Sequence, residues 1–119
     1  MIGIGIDIVR IDRIEKLYTS YGERFLKKIF HEKEIKEAME KGHFIQSIAG
    51  KFAAKEAFIK ATSSLFNQSI SFLDILVLCD FDNKPTIKNT ENSVLSFPCQ
   101  FYVSISHEKE YAVSVVAAI

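Results

Sequence analysis

Four isoleucines, Ile2, Ile4, Ile6 and Ile8, alternate with Gly3, Gly5 and Asp7 at the start of the chain. A period of two is that of a β-strand, so the isoleucines share one face, and two bare glycines followed by a carboxylate share the other. A face without side chains admits a second backbone at close range. The stretch from Ala49 to Ala61 suits that need: Ala49, Gly50, Ala53, Ala54 and Ala57 give a helix a surface of small residues, while Phe44, Ile48 and Phe52 lead at helical spacing to Glu56 and Lys60. We therefore expect the strand and this helix to pack together with Asp7 facing Glu56. Each acid stands inside an otherwise apolar element, where an unpaired charge is costly to bury. Two such acids brought together suit a hard cation.

A chain of 119 residues, 48% hydrophobic and without a low-complexity tract, is expected to form one domain spanning residues 1–119. Its 15 basic and 15 acidic residues balance, so no global field favours nucleic acid. The charge is nevertheless uneven. Up to Lys60 there are 12 basic and 9 acidic residues, and beyond it 3 and 6, which makes the front half the expected docking side for an acidic partner. Cys79 and Cys99 lack metal-ligand spacing and are expected to be buried thiols rather than a disulfide. Asp7 and Arg10 interrupt the amino terminus too early for a signal peptide, and no apolar run is long enough to span a membrane, so a reducing cytoplasm is expected.

The spacing of Ile11, Ile14, Leu17 and Tyr18 predicts a helix closed by Gly22, with Arg10, Arg13 and Lys16 along or beside its polar side. Phe25 to Phe30 reads as an apolar turn bearing Lys27 and Lys28. His31 to Gly42 reads as a short solvated helix, and His43 to Ala61 as the long one. Thr62 to Ser71 is polar and is expected to be a loop. Ile75 to Phe81 suits a strand, Asp82-Asn83-Lys84-Pro85 a turn, and Thr86 to Lys88 a short extended segment. Gln100 to Ser106 and Tyr111 to Ile119 read as an antiparallel hairpin with His107 at its mouth, the last strand apolar enough to be covered on both faces.

Three blocks, GIDIVRIDRI from Gly5 to Ile14, AGKFAAKEAFIKA from Ala49 to Ala61 and VSISHEKEYA from Val103 to Ala112, resemble in order and spacing the holo-acyl-carrier-protein synthases, the small type of 4'-phosphopantetheinyl transferase. The resemblance runs along nearly the whole chain. It implies an α+β fold in which an antiparallel sheet packs on one long helix with shorter helices. It also implies a homotrimer with sites at subunit boundaries, and a role in fatty acid biosynthesis. The implied reaction uses Mg2+ and coenzyme A to place a phosphopantetheine arm on a serine of an acidic acyl carrier protein, releasing 3',5'-adenosine bisphosphate.

Carried onto this sequence, the resemblance makes Asp7 and Glu56 the metal ligands, and Asp7, Glu56 and Lys60 the catalytic set. A serine hydroxyl is a weak nucleophile at neutral pH and needs a base, either Glu56 directly or a water acidified by the metal. Lys60, one helical turn past Glu56, is suited to phosphate charge in the transition state. Lys51 stands where the family commonly has arginine, offering a point charge in place of a planar fork. Ser106 and His107 match the family's Ser-His pair and are expected at coenzyme phosphate or ribose; Lys84 and Pro85 are expected near adenine. Asn83 stands where the family has glycine, and asparagine tolerates the left-handed backbone such a turn needs. Arg10, Arg13, Arg24, Lys27 and Lys28 are expected to steer the carrier, Arg13 foremost because it lies inside the first block. Two other classes fit parts of the pattern: a coenzyme-binding module without turnover, and a metal-dependent phosphohydrolase with water as acceptor.

Overall fold

The computed structural model describes residues 2–90 and 97–119. Strand β1 (Gly3–Arg10) is followed by helices α1 (Ile11–Tyr21), α2 (Glu23–Ile29), α3 (Glu32–Glu40) and α4 (Phe44–Ser63). Strands β2 (Ile75–Cys79), β3 (Pro85–Asn89), β4 (Phe101–His107) and β5 (Tyr111–Ala118) complete the chain. The class is α+β, with all strand pairs antiparallel. The strands fall into two sheets, a three-stranded one ordered β1-β5-β4 and a β2-β3 ribbon.

Helix α4 is the axis of the molecule. One apolar cluster joins its Ile48, Ala49 and Ala53 to Ile14, Phe25, Leu26 and Phe30 of the helical side. A second joins its Ala54, Ala57, Phe58 and Ala61 to Ile75, Val77, Ile87 and Val116 of the sheets. The helix is thus buried on most of its circumference, which is why its sequence shows little segregation of apolar from polar residues. Phe58 is fully buried, its ring 4.6 Å from that of Phe101 and 5.8 Å from that of Phe97.

The glycine face of β1 meets α4 as expected. A Cβ at Gly5 would overlap the Ala57 carbonyl oxygen and stand 2.7 Å from the Ala61 nitrogen, and one at Gly3 would overlap the Ala61 carbonyl oxygen. At Gly5 all the nearest atoms are backbone, so no flexible side chain is available to yield; at Gly3 the Leu65 side chain is also close. The same face carries Asp7 in register with Ser114 of β5. The opposite face is open: Ile2, Ile4, Ile6 and Ile8 are each between 61% and 67% exposed. The expectation of a final strand covered on both faces therefore does not hold within one chain. In β5, Ala112, Ser114, Val116 and Ala118 are buried against α4, whereas Val115, paired with Ile6, is 39% exposed on the isoleucine side.

Other departures have simple causes. Phe25 to Phe30 is the body of a helix, because Gly22 at φ 55° ends α1 and lets α2 start at once, with Phe25 and Leu26 as its buried side. Helix α3 is not simply solvated, since Glu34 and Ala38 are fully buried. Its N-terminus is a capping box built on His31: the Lys33 N–H donates to Nδ1, and the His31 N–H to Glu34. Cys79 and Cys99 are free but only half-buried. Asn83 adopts φ 61°, and Asp80 closes its turn by accepting from the Asp82 and Lys84 N–H groups.

Gly5→Ala is expected to destabilise the fold by about 3 kcal/mol or more, because the added methyl meets fixed backbone. Urea unfolding with an unchanged m-value measures it, and a loss below about 1 kcal/mol would contradict the close approach.

Candidate active site

Asp7 reaches the site from the glycine face of β1, and Glu56 and Lys60 from successive turns of α4. Lys60 donates from Nζ to Asp7 Oδ1 at 3.2 Å and to the Ile6 carbonyl at 3.0 Å, which draws the ammonium toward the strand. Glu56 is half-buried, and its carboxyl is pushed above the usual range, first by burial and then by the charge of Asp7; Lys60 and Arg13 oppose the rise. Asp7 and Glu56 therefore lie within electrostatic reach of each other, as the sequence led us to expect. No group of three or more His, Cys, Asp or Glu side chains suited to a metal is formed among the described residues. Two hard oxygen donors beside one ammonium fit magnesium, which needs few protein ligands when phosphate and water supply the rest.

A second feature lies toward the other end of α4. A hollow of about 460 Å3 is bounded by α3, the start of α4, the β2-β3 ribbon and the end of β4. Lys41, His43, Lys51, Pro85 and His107 are among its lining residues. The His43 and His107 rings stand 5.6 Å apart. His43 precedes α4 without capping it by a side-chain hydrogen bond, and the first turn of α4 contains no acid. Cationic and imidazole groups around an opening of this size suit a phosphorylated nucleoside.

Lys51 is buried in the wall of this hollow. It donates to Glu37 Oε1 at 2.6 Å and to the Val77 carbonyl at 2.7 Å. Glu37 also accepts from the Cys79 N–H at 3.0 Å. Burial would raise the Glu37 carboxyl, but the hydrogen bonds from Lys51 and Cys79 outweigh it and hold the group below the usual range. One turn along, Lys55 is fully buried and spends all three N–H groups, on Glu34 at 2.7 Å, the Ile29 carbonyl at 2.7 Å and the Phe72 carbonyl at 2.9 Å. Its ammonium is pushed to lower pKa, mainly by burial, against the pull of Glu34. Neither Lys51 nor Lys55 solvates a helix face, as the sequence of α4 alone would allow.

The remaining expected residues are placed less centrally. Ser106 is exposed and alternates away from Ile105 and His107, so in a single chain it lies on the open sheet face rather than in the hollow. Lys84 borders a shallower groove between β3 and β4, and Pro85 lines both depressions. Among the basic residues, Arg10 is held in a two-pronged pair with Asp12, and Lys27 pairs with Glu23 at 3.6 Å. Arg24 and Lys28 line a small hollow with Leu17, Tyr21 and Phe25, and Arg13 is exposed on α1 with its charge felt at Glu56. Sequence reasoning missed Glu37, Lys41 and His43. The one signal for the last two was a basic pair flanking Gly42 just before a helix lacking acids in its first turn.

Comparison with known proteins shows the family. The family described as the 4'-phosphopantetheinyl transferase superfamily matches residues 3–116. A holo-[acyl-carrier-protein] synthase of Chlorobium chlorochromatii is 40% identical over 112 residues, covering 94% of this chain and 95% of that protein. The Helicobacter pylori holo-[acyl-carrier-protein] synthase, solved in complex with coenzyme A, superimposes with a TM-score of 0.84 at 37% identity, covering 98% of this chain and 99% of that one. The Bacillus anthracis synthase, solved with coenzyme A as 3',5'-ADP, gives 0.79 at 38% identity, with 98% and 94% covered. The chain thus belongs to the 4'-phosphopantetheinyl transferase superfamily, and within it to the holo-[acyl-carrier-protein] synthases.

The electrostatics make a signed prediction. Asp7→Asn is expected to lower the Glu56 pKa by removing a like charge, and Lys60→Met to raise it by removing an opposing one. A carbon-detected NMR titration of the metal-free protein reads both, and a Glu56 carboxyl indifferent to either substitution would separate it from the other two groups.

Proposed function

We propose that this chain transfers the 4'-phosphopantetheine arm of coenzyme A to a serine of apo acyl carrier protein, with magnesium, and so supports fatty acid biosynthesis in the cytoplasm. The observation that carries this reading is the convergence of Asp7, Glu56 and Lys60 from a strand and a helix held in backbone contact. Asp7 and Glu56 would hold the magnesium, whose positive charge would offset that of the pyrophosphate. Glu56, its pKa raised, accepts the serine proton directly or through a water molecule. The serine oxygen forms a bond to the β-phosphorus as the bond to the bridging oxygen breaks, and 3',5'-adenosine bisphosphate departs. Lys60 is placed to stabilise the growing phosphate charge. The hollow around His107, Lys51 and Pro85 takes the nucleotide portion.

One domain supplies all these groups, but not all to one opening. Lys51 and Glu56 stand five residues apart on α4, about 140° around its axis, so the nucleotide hollow and the carboxylates face different directions. A site shared by neighbouring copies resolves this, each coenzyme lying between the hollow of one and the carboxylates of the next. The open isoleucine face, continuous with Val115, supports the same reading. We assign it to a homotrimer core. The exposed Arg13, Arg24 and Lys28, with Arg10 and Lys27 beside them, receive the acidic carrier protein.

Two experiments test this. Incubation with coenzyme A, magnesium and an apo carrier protein should add one phosphopantetheine to the carrier by intact mass. Consumption of coenzyme A with no carrier adduct would favour hydrolysis, and binding without consumption a non-catalytic module. Separately, Ile4→Glu with Ile6→Glu should convert the assembly to monomers in sedimentation and reduce turnover by more than about 100-fold, since each site would lose its second half. An unchanged sedimentation coefficient would remove the isoleucine face from the interface.

A further inference from the structure

Among the described residues, the nucleotide hollow contains one acidic side chain, and its position is paradoxical for a site that takes an anion. Glu37 lines the hollow, and no role for it follows from the reaction. Resting on the coenzyme reading above, we infer that Glu37 is a positioning residue that aims Lys51 at a coenzyme phosphate.

An ammonium has three N–H groups, and the two α4 lysines distribute theirs differently. Lys55 gives all three to Glu34, Ile29 and Phe72 and is closed off from any ligand. Lys51 gives one to Glu37 and one to the Val77 carbonyl, and it lines the hollow. Two fixed acceptors determine the direction of the third N–H, which is left for the hollow. Glu37 is itself fixed, because its second oxygen accepts from the Cys79 N–H and so ties it to the β2 wall. A lysine stem is flexible and its head has no planar fork, so unguided it loses rotamer freedom whenever it grips a phosphate. The Glu37–Val77 brace spends that freedom before the ligand arrives. It gives a lysine at this position the direction that an arginine carries in its own geometry.

The inference runs against simple electrostatics, and that makes it testable. If Glu37 acted only as a nearby negative charge, neutralising it would tighten anion binding. If it aims Lys51, neutralising it loosens binding of phosphorylated ligands only. Calorimetry on the assembled protein with 3',5'-adenosine bisphosphate should show Glu37→Gln weakening binding by about 10-fold, in the range expected for a misdirected hydrogen bond to a charged group. Adenosine affinity should stay within about 2-fold, since it has no phosphate for Lys51 to meet. Lys51→Met should weaken the bisphosphate similarly, and the double variant little further, because the two residues act as one unit. In turnover the loss should appear in the KM for coenzyme A much more than in kcat.

Bisphosphate binding unchanged or tighter in Glu37→Gln would overturn the inference. So would an equal loss for adenosine, which marks a deformed wall, or fully additive losses in the double variant. Circular dichroism checks the fold. If Glu37→Gln does not fold, Glu37→Asp keeps the charge but shortens the reach, and it must reproduce the phosphate-selective loss. The underlying function fails differently: wild-type protein would then neither bind the bisphosphate nor modify a carrier, whereas failure of the Glu37 role alone leaves both wild-type activities intact.

Discussion

The contact between the bare face of β1 and the small-residue surface of α4 governs the rest of the structure. Gly3 and Gly5 let the strand approach the carbonyls of Ala57 and Ala61 with no side chain between them. At that separation the next inward residue of the strand, Asp7, reaches the same space as Glu56 and Lys60. The Ile6 carbonyl becomes an acceptor for Lys60, so backbone as well as carboxylate holds the ammonium in place. A strand with ordinary side chains at positions 3 and 5 would stand farther from the helix and separate the three groups. The chemistry is thus a consequence of packing, with the glycines acting through distance alone.

The opposite side of α4 is organised by charge. Lys51 and Lys55, one turn apart, meet Glu37 and Glu34 of α3, and the edge of β2 is threaded between them. The Val77 N–H goes to Glu34, the Val77 carbonyl accepts from Lys51, and the Cys79 N–H goes to Glu37. On its other side β2 pairs with β3. Side chains therefore satisfy backbone groups that a further strand would otherwise take, and the ribbon is docked to the helix without extending the sheet. Removing one partner of the fully buried Lys55–Glu34 pair would leave an uncompensated charge, a loss of about 3–5 kcal/mol. Apolar packing fixes α4 against the three-stranded sheet, and these ion pairs fix it against α3 and the ribbon.

What the sequence disclosed follows from this division. The β1–α4 contact was legible because period two in one segment and small residues at helical spacing in the other describe complementary surfaces. The hairpin of β4 and β5 was legible from local chemistry, and the left-handed Asn83 from the glycine that the resembling family carries at that position. Helix α2 was not, because a single Gly22 both ends one helix and starts the next, and seven residues carry too little periodicity to announce a helix. The lysine–glutamate cluster was hidden for a different reason. Its members have the composition of a solvated face, and only the tertiary arrangement shows that Glu34 and Lys55 are fully buried. The pocket roles of Lys41 and His43 depend on where β2 and β4 cross the start of α4, and no local pattern encodes that.

The open isoleucine face and the two separated halves of the site have a common origin in the same glycine pattern. Alternation that places Gly3, Gly5 and Asp7 against α4 must place Ile2, Ile4, Ile6 and Ile8 on the far side of the strand, where the described residues supply no element to cover them. Burying one isoleucine side chain contributes about 1.5–3 kcal/mol, so four on each copy offer a large driving force for association. Helix α4 cannot cover both faces of β1, and it cannot turn Glu56 and Lys51 toward the same opening. The proposed neighbouring copy would meet both needs at once, covering the apolar face and bringing a nucleotide hollow opposite a carboxylate pair. On this reading, assembly and catalysis share one cause, and a chain able to bury its own first strand would have no second half for its active site.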